Sequence, residues 1–188
     1  MAIQKEVSLK IDSKKPIKIN NMFSTIIVDD FFKNVDEVIS LSKKLKFKPP
    51  TSVENWPGLR TKSLHHNHYD LFNAIILRIL SNYYPDKEVK FSDSSVYFHK
   101  LKDGDKGKTY FHHDENFDIT AVIYLSPGDI KTGTTIFNKK GEKQIIIGNE
   151  FNTLVCYDGC KYHGPTTLNL KKERLTLNIF IKNIEISS

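Results

Sequence analysis

The stretch FHHDENFD, residues 111–118, sets two histidines directly before two acids, and imidazole and carboxylate groups are ligands for first-row metals. On an extended backbone, residues two apart face the same side. The imidazole of His112 and the carboxylate of Asp114 can therefore grip one ion from neighbouring positions. His113 with Glu115 repeats the pattern one residue later and on the opposite face. A third donor is offered by YDGCKYHGP, in which His163 follows Asp114 by about fifty residues at the end of a late predicted strand. Two imidazoles and one carboxylate on one face leave coordination positions open, a donor set that suits Fe(II) and reactions of molecular oxygen.

About ten residues beyond His163 stands Arg174, the only arginine in the last hundred residues, at the head of RLTLNIFI. A guanidinium in a mostly apolar strand calls for a buried anion, and a carboxylate held by two parallel bonds is its natural partner. Taken singly, each residue has an ordinary explanation: His112 and Asp114 as a surface pair, His163 as a turn residue. Their order, spacing and strand context together favour a metal centre. Other groups do not gain in this way. HHNH, residues 65–68, lacks an acid and precedes a helical pattern, so it reads as surface. Cys156 and Cys160 form one C-x-x-x-C without a second pair, short of a zinc site, and read as free thiols.

These residues need a scaffold, and the chain of 188 residues is long enough for one domain with one core. Hydrophobic content of 39% and charged content of 27% are ordinary for a globular protein. No apolar run approaches the roughly 20 residues that cross a bilayer, and MAIQKEVSLK lacks the features of a secretory signal, which points to the cytoplasm. The net charge of +6 comes from lysines mixed with acids along the whole chain. That pattern describes a solvated surface better than a nucleic-acid footprint.

STIIVDDFF reads as a short buried strand; Asn34 and Glu37 then resemble a capping box before a helix over 35–46. Lys48 to Ser63, with two clusters of breakers and the only tryptophan, reads as a long loop. YDLFNAIILRILSNYY places Phe72, Ile75, Ile76, Ile79, Leu80 and Tyr83 on one helical face and closes at Pro85. From Val89 onward eight short β-branched and aromatic segments follow, KTYFHH among them, without an intervening helix. The fold class is mainly β with two packed N-terminal helices, a sandwich or double-sheet jelly roll.

With HHD at 112–114, AVIYLS at 121–126, GTTIF at 133–137, NTLVCYDGCKYHGP at 152–165 and RLTLNIF at 174–180, the chain resembles the 2-oxoglutarate- and Fe(II)-dependent dioxygenases, in their prolyl-hydroxylase-like branch. The resemblance implies a double-stranded β-helix over 89–183, preceded by a strand and helices over 1–88. It implies Fe(II) held by His112, Asp114 and His163, and 2-oxoglutarate chelating the metal with its distal carboxylate on Arg174. Tyr124 matches a tyrosine that shares that carboxylate, and Tyr97 one that reaches the co-substrate near the iron. In this family the Asp form of the ligand pair is the commoner one, which favours 112/114 over 113/115. With O2, the expected outcome is succinate, CO2 and a hydroxylated peptide or protein side chain, proline being the family's example. Nucleic-acid dioxygenases of the superfamily carry a second arginine six residues after the first, where this chain has Phe180. A small-molecule dioxygenase and a silent jelly-roll binding module are the remaining alternatives. The loop over 48–63 is expected to act as a lid, with Trp56 offering a flat apolar surface and Arg60 a donor fork to the substrate.

Overall fold

The computed structural model describes residues 25–54, 56–102, 112–114, 116–128, 130–167 and 170–187. In chain order these form β1 (Thr25–Val28), α1 (Val35–Lys44), β2 (Leu59–Arg60), α2 (Tyr69–Tyr83), β3 (Glu88–Leu101), β4 (Ile119–Tyr124), β5 (Thr134–Phe137), β6 (Lys143–Ile147), β7 (Leu154–Asp158), β8 (Tyr162–Pro165) and β9 (Arg174–Ser187). The expected strand at KTYFHH falls almost wholly outside the described residues. Only its end is seen, where His112 pairs with His163 as a single antiparallel bridge.

Two antiparallel sheets make the jelly roll. The larger runs β1-β7-β4-β9-β3-β2 and the smaller β6-β5-β8. Strand alternation divides the larger sheet into two faces. One carries Ile119, Ala121 and Ile123 of β4, Leu154 and Cys156 of β7, and Leu175, Leu177, Ile179 and Ile181 of β9, packed in one cluster with Phe72, Ile75, Ile76 and Ile79 of α2. Each such aliphatic or aromatic side chain contributes about 1.5–3 kcal/mol on burial, so α2 is held by its apolar stripe. The other face turns toward the smaller sheet, and there Tyr124, Val155 and Tyr157 meet Ile136 and Ile147. The helices thus seal one side of the large sheet and leave the space between the sheets for polar residues.

Several local expectations change. α1 ends at Lys44, two residues early, because Leu45 already takes an extended conformation. Asn34 precedes the helix without a side-chain cap, and its amide instead donates to the Glu37 carboxylate at 3.2 Å. The loop over 48–63 is pinned at its base: Lys48 pairs with Arg60, and β2 joins the edge of β3 through Leu59–Lys100 and Arg60–His99. What remains is a closed excursion over 49–58, returning through Gly58 at φ 81°. A side chain at Gly58 would strike the Lys100 carbonyl, so both backbone twist and close approach require glycine there. No helix of the described residues is long and apolar enough to cross a membrane.

Candidate functional site

His112, Asp114 and His163 each offer one ligand atom, and these atoms lie within 4.8 Å of one another. The backbone sets this up: His112 and His163 exchange both N–H···O=C bonds, at 3.1 and 2.7 Å, and the Asp114 N–H donates to the Gly159 carbonyl at 2.8 Å. The turn over 158–161 is thereby clamped against the histidine strand. His163 Nδ1 lies 2.9 Å from the Lys161 carbonyl. That contact requires the proton on Nδ1 and leaves the Nε2 lone pair free as a ligand. Asp114 Oδ2 sits 3.4 Å from His163 Nε2 and Oδ1 lies 3.8 Å from His112 Nε2. His113 turns away and packs edge-to-face on Tyr162 with centroids 4.6 Å apart; its alternative partner Glu115 lies outside the described residues.

The electrostatics suit a cation. Burial and the neighbouring His163 hold His112 down at about 4 against the pull of Asp114, so its imidazole is neutral near pH 7. Burial raises the Asp114 carboxyl, but the neighbouring His163 and His112 and the Thr120 hydroxyl outweigh that and hold it below the usual range. Neutral imidazole and ionised carboxylate are the forms that ligate metal. Thr120 Oγ1 donates to Asp114 Oδ2 at 2.9 Å and fixes the carboxylate from β4. Strand parity with Tyr124 makes Thr120 legible in the sequence, although its residue type alone carries no signal.

The three donors open onto a cavity of about 250 Å³ between the sheets, lined also by Trp56, Arg60, His99, Thr134, Tyr157 and Arg174. Arg174 is 9% exposed. Its Nη1 donates to the Thr132 carbonyl at 2.6 Å and the Gly133 carbonyl at 3.3 Å, while Nε is buried without a partner. Burial lowers its pKa, partly offset by Tyr124 and Tyr157. Tyr124 is fully buried on the same face of β4 as Thr120, and its hydroxyl is 2.7 Å from Thr134 Oγ1, which lines the cavity. A charged guanidinium with a free donor, next to two hydroxyls, is a cradle for a carboxylate.

At the other end, the Arg60 guanidinium lies over the Trp56 ring at 4.4 Å. His99, two residues after Tyr97 on the same face of β3, links this loop to the barrel. Its Nε2 meets the Pro57 carbonyl at 2.6 Å and its Nδ1 the Asn178 amide at 3.2 Å. Burial, with Arg60 adding to it, holds this imidazole near 3. Tyr97 does not line the cavity; it packs against Phe180 at 6.4 Å and under Arg60 at 5.9 Å. The structure lines one cavity with six of the eight residues named from the sequence, brings Tyr124 to it through Thr134, and sets Tyr97 behind the mouth. His65 and His66 stack on each other at the surface, apart from the site. Cys156 is buried and Cys160 exposed.

No family model and no curated protein matches the sequence. Solved structures do resemble the chain. A prolyl-4-hydroxylase of Pseudomonas putida is 17% identical, with a TM-score of 0.59 over 86% of this chain and 93% of that one. A non-haem α-ketoglutarate-dependent epimerase of nogalamycin biosynthesis is 12% identical, with a TM-score of 0.63 over 86% and 78%. A prolyl hydroxylase of Trichoplax adhaerens, solved with a peptide of a hypoxia-inducible factor, is 11% identical, with a TM-score of 0.63 over 86% and 84%. At these identities the likeness is one of fold, the double-stranded β-helix of 2-oxoglutarate oxygenases.

Proposed function

We propose that the protein is a 2-oxoglutarate- and Fe(II)-dependent dioxygenase that hydroxylates a side chain of a peptide or protein, with proline the first residue to test. The observation that carries this reading is the convergence of His112, Asp114 and His163 on the same cavity as the Arg174 guanidinium, whose Nε has no partner among the described residues. Fe(II), 2-oxoglutarate and O2 together would supply oxidative decarboxylation to succinate and CO2, with one oxygen atom placed on a substrate C–H bond. The donor set fits Fe(II) through its two imidazoles and one carboxylate. Arg174, supported by Thr134 and Tyr124, fits the distal carboxylate of the co-substrate.

The chain's own residues have separable tasks. Lys161 and Thr120 orient the ligands, since such supporting bonds fix tautomer and direction. Arg174 sets where the co-substrate ends. The loop over 49–58 brings Trp56 and Pro57 against the mouth, where they limit water entry. Phe180 lines the cavity at the position where a second arginine would mark a nucleic-acid dioxygenase, which weighs against that substrate. The equal likeness to an epimerase of antibiotic biosynthesis keeps a small-molecule substrate as the second reading.

The test is to load the protein anaerobically with Fe(II) and 2-oxoglutarate, admit oxygen, and follow succinate together with the mass of peptide and metabolite pools. Formation of succinate, lost in His163→Ala, is the expected result. Absence of succinate with every pool would sink the enzyme assignment.

A further inference from the structure

Two arginines face the one cavity, and only one of them has a hydrogen-bonded place in the protein. Arg174 rests on two carbonyls at the inner end. Arg60, at the mouth, makes no side-chain hydrogen bond or ion pair among the described residues, and its Nε is buried and unpartnered. Its guanidinium is enclosed by three rings: Trp56 at 4.4 Å, Phe180 at 5.8 Å and Tyr97 at 5.9 Å from their centroids. Ring faces attract the charge but leave the planar fork of N–H donors unsatisfied. Burial pulls this guanidinium down to about 10, so it stays charged at neutral pH. Asp114 and Glu54 act on it through space, yet neither comes within ion-pair distance.

A charged guanidinium at the cavity mouth, half-buried and with its Nε enclosed and unpartnered, is completed by an anion that offers it an acceptor. The walls restrict which anion. Among the described residues Arg60 and Arg174 are the only lysine or arginine side chains lining the cavity, so a dianion at Arg60 would have one charge uncompensated by them, while a carboxylate matches the fork with two bonds. The distal carboxylate of 2-oxoglutarate has its own place on Arg174. At about 250 Å³ the cavity also lies below the roughly 300–1,000 Å³ usual for enclosing a whole ligand. It admits the co-substrate and the reacting group, with the remainder of the substrate outside.

We propose that Arg60 is the specificity determinant of this enzyme and binds a carboxylate of the prime substrate, which is therefore an acid whose carboxylate lies close to the reacting carbon. The proposal rests on the reading of the metal centre given above. Trp56 lies against the guanidinium, and His99 holds the loop through the Pro57 carbonyl, so the fork is set before the substrate arrives. The carboxylate could belong to a free amino or keto acid, or to an Asp, Glu or chain terminus beside the target residue of a peptide.

Binding measured by calorimetry with Mn(II), a redox-silent ion, separates these points. Wild-type protein is first titrated with 2-oxoglutarate; no binding there defeats the dioxygenase reading itself, and this proposal with it. The Mn(II)–2-oxoglutarate complex is then titrated with free amino acids and their carboxamides, and with proline-centred pentapeptides bearing Asp or Glu against Asn or Gln. Acids should bind about 30-fold or more tightly than the matching amides, as expected for a buried charged bond. Arg60→Gln should erase that preference while 2-oxoglutarate affinity stays within about two-fold, a difference under 0.5 kcal/mol, and Arg60→Lys should restore part of it. Preference among free acids assigns a small-molecule substrate and preference among peptides a peptide; both support the proposal. Equal binding of acids and amides to wild type would overturn it. So would an Arg60→Gln protein that unfolds normally but loses 2-oxoglutarate as completely as an Arg174 variant, because Arg60 would then belong to the co-substrate.

Discussion

Replacing Arg174 by methionine separates the role of this side chain in the fold from its role in binding. In the free protein the guanidinium bonds two carbonyls, those of Thr132 and Gly133, and burial works against its charge. Methionine of similar length removes the buried charge together with its bonds, while the Gly133 carbonyl keeps the Thr166 N–H at 3.0 Å; a lost bond to a charged group costs about 1.5–3 kcal/mol. The two effects oppose each other, so the stability of the free protein should change by no more than about 3 kcal/mol, the cost of one such bond. Binding has no such compensation. Loss of one partner of a buried ion pair costs about 3–5 kcal/mol, and 3 kcal/mol already weakens 2-oxoglutarate by about 150-fold. With Mn(II) present and co-substrate at 100 times the wild-type Kd, the wild type gains about 2.7 kcal/mol. For a chain of this length that is about 5–11 °C in Tm. At the same concentration the variant gains about 0.3 kcal/mol, or roughly 1 °C. Thermal unfolding with and without 2-oxoglutarate reads both quantities. A co-substrate shift of several degrees retained in Arg174→Met would refute the assignment of Arg174 to the distal carboxylate.

Four further outcomes are expected. His112→Ala should lose Mn(II) binding in a calorimetric titration while His113→Ala keeps it; the reverse result would move the ligand pair to 113/115. Thr120→Val removes the bond to Asp114 Oδ2 and should weaken metal by about 10–100-fold, so an unchanged metal affinity would show that Thr120 only packs. His99 is 4% exposed and its imidazole titrates near 3 when folded, against an ordinary value of 6.5. The unfolded chain takes up that proton first as pH falls, so stability is full above about 6.5 and declines by up to about 1.4 kcal/mol per pH unit toward 3. Urea midpoints at pH 7 and pH 5 should show about 2 kcal/mol of this loss in wild type, absent in His99→Gln; parallel losses in both proteins would contradict it. Trp56→Ala should weaken the prime substrate more than 2-oxoglutarate, and equal titrations of both ligands against wild type would leave Trp56 a purely structural anchor.

Much of this site is written in local chemistry. His112 and Asp114 share a face because extended backbone alternates, and Thr120, Val122 and Tyr124 follow from the same rule on β4. Arg174 stands out as a charge at the head of RLTLNIFI, and the stripe of α2 repeats at 3.6 residues. Such periodicities depend only on neighbours in sequence, so the chain determines by itself that it has two helices, a β core and a candidate set of metal ligands. The tertiary structure decides what pairing across distance controls. His99 came into the site because β2 docks on β3 and brings Pro57 within reach of its Nε2. Tyr97, with the same parity, was displaced from the cavity by Arg60 and Phe180 filling the space before it. Asn34 and Glu37 have the spacing of a cap, yet their side chains bond each other and leave the helix end uncapped. The sequence offers Arg60 as a donor fork in the loop but does not show what surrounds it. Only the gathering of three rings around its guanidinium leaves it half-buried with its Nε enclosed and no acceptor among the described residues, because burial is a property of packing between segments remote in the chain.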